Sequence, residues 1–342
     1  MLFRKEDQPL DEFRANGRRV DMTDIIAADI GGTNARFAIA RGDSTHGFRL
    51  ENIQRLKNQD FANLEDAAQT YIESCTGDRP QRGCVAVAGP VGSGVIQLTN
   101  SSWCFEPHAL AQKLGLGGLV AVNDFAAQAR GAPLAPAEDR IVIKQATPEP
   151  SAPCAVLGPG TGLGLGLLVP RANGLIVIAT EGGHAAFAPR SEEQHAVARI
   201  LSELYGFVSW ERLLSGAGLV NIDRALCHLE GRPEPDRRPE EITKEALADS
   251  DSHSKRVVDF FCAVLGGYAG DVATMSGARG GVYLGGGILP KIRPLLEASA
   301  FDPAFSERGP MTGYTSDIPV WLILSEAAPL LGAAALAEAG EA

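Results

Sequence analysis

The sequence is short of the features that announce many functions. Its 342 residues hold 31 Lys and Arg against 42 Asp and Glu, a formal net charge of −11. So little positive charge argues against a nucleic-acid partner, which wants a basic face, and against anionic membranes. The six cysteines, Cys75, Cys84, Cys104, Cys154, Cys227 and Cys262, lie far apart and form no C-x-x-C pair, so a zinc knuckle is not expected. The charge-rich first 24 residues lack the apolar core of a secretory signal, and the thiols read as reduced and cytosolic. Those 24 residues read as an extension outside the folded core. Residues 154–170 carry no charge, but their glycines and two prolines argue for strand–turn–strand rather than a membrane span. Neither G-x-S-x-G nor H-E-x-x-H is present.

What the chain does have is glycine, 39 residues of it, in clusters that point to tight turns with close backbone approach. The length suggests two domains. The opening "IIAADI", "ARFAIA" and "HGFRLENIQRL" read as three strands of a meander, with the turn "GGTN" between the first two. "NLEDAAQTYIES" has helical spacing, with Leu64, Ala67, Ala68, Tyr71 and Ile72 on one face. "LVAVND" is a strand running into the helix "FAAQARG". From residue 154 the theme restarts as strand, glycine turn, strand, so the fold class reads as α/β with two similar halves. Segment 233–240 reads as a polar, proline-rich loop.

Three glycine turns stand out. Gly31, Gly32 and Thr33 follow a strand and can aim backbone N–H groups at a phosphate, and Asp29 just before them can hold a magnesium ion through water. A plain glycine turn beside a solvent-facing Asp29 is the alternative, since neither the Walker A pattern nor the dinucleotide fingerprint fits. Gly160, Thr161 and Gly162 form a second such turn, and a third around Gly286 is placed to face an adenine or ribose. Asn123 and Asp124 stand at a strand's C-terminal end, where ligands bind in open α/β sheets, although Asp124 as a helix cap reads as well. Glu181 and His184, two glycines apart, suit hydrogen bonding to a polyol. Glu211 falls near the start of a helical pattern, where a solvated glutamate is the simpler reading. Thr99, Asn100 and Trp103 add small donors beside an aromatic. The set is rich in amides and carboxylates and poor in Lys and Arg, which suits a neutral, hydroxyl-bearing substrate.

The segments "DIGGTNARFAIA", "LTNSSWCF", "NDFAAQA", "GPGTGLG", "EGGHAAFAPRSEE", "ERLLSGAGLVNI", "GGVYLGGGI" and "PLLGAAA" together resemble the bacterial glucokinases of the hexokinase/actin-like ATPase superfamily. The likeness spans residues 25 to about 335. It implies a two-domain actin-like ATPase (ribonuclease H-like) fold with a cleft between a small domain, 25–134 plus 325–342, and a large one, 135–324. It implies phosphorylation of the glucose 6-hydroxyl by ATP with Mg²⁺, in a cytoplasmic homodimer. The catalytic base then falls on Asp124 and the sugar contacts on Asn100, Asn123, Asp124, Glu181, His184 and Glu211. The first phosphate motif covers Ala28, Asp29, Ile30, Gly31, Gly32 and Thr33, and the second covers Gly160, Thr161 and Gly162. Position 28 is Ala where relatives often have glycine. The cysteine motif that holds zinc in related sugar kinases and repressors is missing after His184, so zinc is not expected there. Another hexose or another phosphoryl donor remains open on sequence. A sugar-responsive regulator is disfavoured, because 24 residues ahead of the first strand cannot make a helix-turn-helix domain.

Overall fold

The computed structural model describes residues 24–340 apart from Asp78, Pro90, Ser93, Thr99, Asn100 and Asn173. In the first part of the chain come β1 (Ile25–Ile30), β2 (Asn34–Asp43), β3 (Gly47–Lys57), α1 (Leu64–Ser74), β4 (Arg82–Val87), β5 (Ile96–Gln97), β6 (Cys104–Phe105), α2 (Pro107–Leu114), β7 (Gly118–Asn123) and α3 (Asp124–Gly131). Then follow β8 (Arg140–Lys144), β9 (Cys154–Pro159), β10 (Leu163–Arg171), β11 (Gly174–Thr180), α4 (Glu192–Tyr205), α5 (Gly216–Leu229), α6 (Pro239–Ala248) and α7 (His253–Ser276). The chain closes with β12 (Gly281–Leu284), α8 (Arg293–Glu297), α9 (Phe301–Ser306), α10 (Thr312–Ser316), β13 (Val320–Ile323) and α11 (Ala328–Ala339).

The strands build two main sheets of matching design. The first runs β3-β2-β1-β4-β7, and the second runs β11-β10-β9-β12-β13-β8. In each, the three strands of a meander are antiparallel and the next two are parallel. β8 is an antiparallel addition to the second sheet's edge. The echo between the two halves of the sequence is therefore an echo of topology.

Alternation along β1 sorts its side chains. Ile26, Ala28 and Ile30 are buried against α1 and α2, while Ile25 and Ala27 face α11. With a period of two, Asp29 shares the α11 face. α1 buries Leu64, Ala67, Ala68, Tyr71 and Ile72, as its spacing predicts, and Asn63 caps it by accepting from the Asp66 N–H at 2.8 Å. α7 is long and apolar enough to cross a membrane, yet most of it is buried inside the protein among the helices of the second half.

α3 and α11 lie between the sheets. Ala127 of α3 packs with α11 against the first sheet, while Ala129 and Phe125 pack toward the second. The two helices touch backbone to backbone. A Cβ at Gly131 would fall 1.7 Å from the Ala328 carbonyl oxygen, and one at Gly332 would fall 1.8 Å from that of Ala127. Only glycine permits this crossing, and a forced methyl group there costs about 1–3 kcal/mol or more.

Two local readings change. The loop expected over 233–240 ends at Arg238, because Pro239 opens α6 and the Glu241 carboxylate accepts from the Arg238 N–H at 2.8 Å. Glu211 lies in a single 3₁₀ turn, Trp210–Arg212, ahead of α5 rather than within a helix. The cause is Ser215, whose Oγ accepts from the Gly218 N–H at 3.0 Å and starts the helix only there.

Candidate active site

The first glycine turn joins β1 to β2. Its Gly31 N–H closes onto the Asn34 carbonyl at 2.9 Å, and Asn58 Nδ2 donates to the Gly31 carbonyl at 2.8 Å. Among the described residues no acceptor takes the N–H of Gly32 or Thr33, both exposed. The second turn joins β9 to β10 in the same way. Gly160 N–H donates to the Gly162 carbonyl at 2.8 Å, and the Gly216 N–H at the start of α5 donates to the Gly160 carbonyl at 2.9 Å. Here, among the described residues, no acceptor takes the N–H of Thr161 or Gly162. Each hairpin thus presents two consecutive donors, the means by which backbone binds phosphate oxygens. Ala28 and Ile30 of the expected first motif put their side chains into the core, so only their backbone reaches this edge.

The third turn is pressed against the second. Gly286 has φ +80°, and a Cβ there would meet the Pro159 carbonyl oxygen at 2.4 Å. The glycines around the second turn divide into two jobs. Gly160 and Gly162 shape the turn, whereas Gly158 and Gly164 leave room for a ring: their Cβ positions lie 2.5 and 2.2 Å from Phe125. Phe125 follows Asp124, so this platform fixes the start of α3.

Asn123 and Asp124 end β7 and begin α3. Asn123 is the cap: its Oδ1 accepts from the N–H of Phe125 at 2.9 Å and of Ala126 at 3.3 Å, and its Nδ2 donates to the Gly89 carbonyl at 3.1 Å. The cap role that the sequence allowed for Asp124 therefore goes to its neighbour, and among the described residues one Nδ2 hydrogen of Asn123 meets no acceptor. Asp124 Oδ1 accepts from the Phe125 N–H at 2.8 Å. Burial holds the Asp124 carboxyl above the usual carboxylate range, opposed by that hydrogen bond and reinforced by the negative charges of Asp29 and Glu181. Residues from three separate segments thus act on one carboxylate.

Glu211 reaches the second turn. Its Oε2 accepts from the Leu163 N–H at 2.8 Å, and a Cβ on Gly162 would meet that oxygen at 2.6 Å. His184 stands between two acids, with Nδ1 3.9 Å from Glu211 and Nε2 3.9 Å from Glu181. The three form one open cluster in which the Glu181 side chain is 90% exposed. Asn100 lies outside the described residues.

One residue escaped the sequence reading. Arg36 of β2 is the cross-strand partner of Asp29 and forms an ion pair with its Oδ2, with Nε at 3.0 Å. The same guanidinium donates to the Glu326 carbonyl just before α11. A set that reads as poor in Lys and Arg thus gains one guanidinium behind the first turn. A four-residue hairpin turn pairs positions 29 and 36, so the register was readable in "DIGGTNAR".

Two sheets of one topology around a shared helix pair are the design of the actin-like ATPases. Asn123, Asp124, Glu181, His184 and Glu211 stand near the two glycine hairpins of this fold, and the chain is a sugar kinase of that class. It belongs to the Glucokinase family, whose model matches residues 26–340. A glucokinase of Chromobacterium violaceum is 40% identical over 310 residues, 91% of this chain and 88% of its own. The crystal structure of a glucokinase from an Antarctic psychrotroph superimposes with a TM-score of 0.89 at 34% identity, covering 93% of this chain and 100% of that one. A ROK family glucokinase from Streptomyces griseus, solved with glucose and AMPPNP, shares the fold at a TM-score of 0.58 and 20% identity, over 93% of this chain and 100% of that one. The reaction is the ATP-dependent phosphorylation of glucose.

Proposed function

We propose that Asp124 is the general base of this reaction and that the phosphoryl group goes to the glucose 6-hydroxyl. The observation that supports this most is the position of Asp124. It sits at a strand end, on the first residue of α3, which is locked by Phe125 against the second hairpin, and the charges of Asp29 and Glu181 act on it. A carboxylate held above its usual range is a better proton acceptor near neutral pH. In-line transfer proceeds through a loose transition state, so placing the hydroxyl and screening the phosphate charge carry most of the catalysis.

In this reading Asn123, Glu181, His184 and Glu211 bind sugar hydroxyls, with Asn100 as a further contact. The N–H groups of Gly32, Thr33, Thr161 and Gly162 take the phosphates, and the turn at Gly286 borders the nucleoside. Mg²⁺ fits Asp29: Arg36 occupies Oδ2, and Oδ1 accepts no bond from a described residue, which suits a metal-bound water. When bound, Mg²⁺ supplies positive charge to the triphosphate. The domain division at 134/135 and 324/325, the cytoplasmic location and the homodimer belong to the same proposal.

The test is a coupled assay of the purified protein with glucose, mannose and fructose, each against ATP, ADP and polyphosphate. The expected result is turnover with glucose and MgATP that is at least about tenfold more efficient than any other pair, the discrimination that loss of one hydroxyl contact gives. Equal use of another hexose would move the assignment to a broader hexokinase.

A further inference from the structure

Away from the cleft, α5 and α7 share a buried polar cluster that the reaction does not use. Asp223 and Cys227 lie one turn apart on α5, and His253 is the first residue of α7. His253 Nε2 stands 3.0 Å from Asp223 Oδ1 and 3.3 Å from Cys227 Sγ, and that sulfur is 4.0 Å from the same Oδ1. All three side chains are essentially buried: Asp223 is 0% exposed, Cys227 3% and His253 10%.

We propose that Asp223, Cys227 and His253 form a zinc site that ties α5 to α7. Zinc bonds of about 2.0–2.3 Å to nitrogen, oxygen and sulfur in a tetrahedron require donor separations of about 3.3–3.6 Å. The observed triangle brackets that range, so small side-chain shifts place an ion within reach of all three donors. The fourth position is open to water. Thiolate and imidazole select zinc over magnesium or calcium.

The surroundings fit the ion. His253 Nδ1 faces Glu230 Oε2 at 3.5 Å, the carboxylate–imidazole pairing that orients metal-bound histidines. Arg237 holds Asp223 in a fork, with Nη2 2.7 Å from Oδ1 and Nε 3.1 Å from Oδ2, which leaves a lone pair on Oδ1. Charge also balances. Asp223, Glu230, Glu245 and Glu193 are paired among Arg237, Arg232 and Arg256, four negative groups to three positive. A divalent ion together with a thiolate cancels the remaining negative charge. Binding releases the Cys227 thiol proton to solvent and requires His253 Nε2 without a proton, the remaining ring proton lying on Nδ1 toward Glu230. Burial and the Asp223 charge push the free Cys227 thiol up from its usual range.

The full-length chain, expressed with zinc and freed of loose metal by gel filtration, is analysed for metal by mass spectrometry. It is then exchanged to cobalt(II) and its absorption spectrum recorded. One zinc per chain, a thiolate-to-cobalt charge-transfer band, and loss of both in Cys227→Ser are expected. Glu230→Gln lowers zinc affinity about 10–100-fold. Glucose phosphorylation by Cys227→Ser stays at the wild-type level, so the outcome is separate from the assignment of the reaction. Absence of stoichiometric metal and of the cobalt band in the wild type overturns the site, as does a band that survives undiminished in Cys227→Ser, a variant near enough in shape to fold.

Discussion

The two glycine hairpins occupy equivalent places in the two sheets, and the residues just inside them differ completely. In the first, the cross-strand pair behind the turn is Asp29 opposite Arg36, an ion pair on the α11 face. In the second, the same place holds Gly158 opposite Gly164, a bare surface covered by Phe125. One topology has been given two tasks. The first hairpin sets a charged pair behind its turn. The second gives up its side chains so that α3, and with it Asp124, can be seated directly on the sheet.

The most severe way to break this comparison is to remove the carboxylate that both hairpins serve. Asp124→Asn should lower kcat at least about 10²-fold, the usual worth of a general base, with glucose KM nearly unchanged. Near-normal turnover would leave the two hairpins without a common purpose. Next comes the platform. Alanine at Gly164 pushes on Phe125 and shifts the start of α3, and an error of about 1 Å in a reacting group can cost about 10²-fold in rate. Gly164→Ala should therefore reduce kcat about 10–10²-fold and leave nucleotide affinity largely intact. If steady-state kinetics instead show weakened ATP binding at full kcat, the second hairpin is a phosphate turn and nothing more.

Glu181→Ala should raise glucose KM about tenfold to a hundredfold, the equivalent of one charged hydrogen bond, with a smaller change for ATP. An unchanged glucose KM would return this exposed glutamate to solvent. The smallest effect sharpens the first hairpin's role. Asp124 must be ionised to accept a proton, and its carboxyl lies above the usual range, chiefly through burial. Activity should thus fall with decreasing pH at a higher pH than an ordinary carboxylate gives. Asp29→Asn removes one of the like charges, so the acid limb of the kcat profile should move to lower pH while the magnesium requirement rises. A limb that stays in place, with only the melting temperature lowered, would make Asp29 and Arg36 a structural brace.

Much of this was readable in one dimension. Hydrophobic period and glycine placement are local properties, so β1, α1, the strand–turn–strand of 154–170 and the strand-to-helix step at Asn123–Asp124 follow directly from the residues. The order of the glycine and acid motifs was enough to suggest the family. What depended on the fold was which groups meet. Asn123 rather than Asp124 caps α3, because the cap is chosen by backbone angles at the end of β7. Glu211 was placed on a helix by its pattern, but Ser215 starts α5 later and leaves that carboxylate to accept from Leu163, 48 positions away. The glycines at 158 and 164 only flank the turn at 160–162 in sequence, and the packing of α3 shows that they make space for Phe125. Cys227 and His253, unremarkable in sequence, meet Asp223 because α5 and α7 lie side by side in the second core. Local preference determines elements and turns; the identity of a side chain's partner depends on long-range packing, which no single stretch of sequence contains.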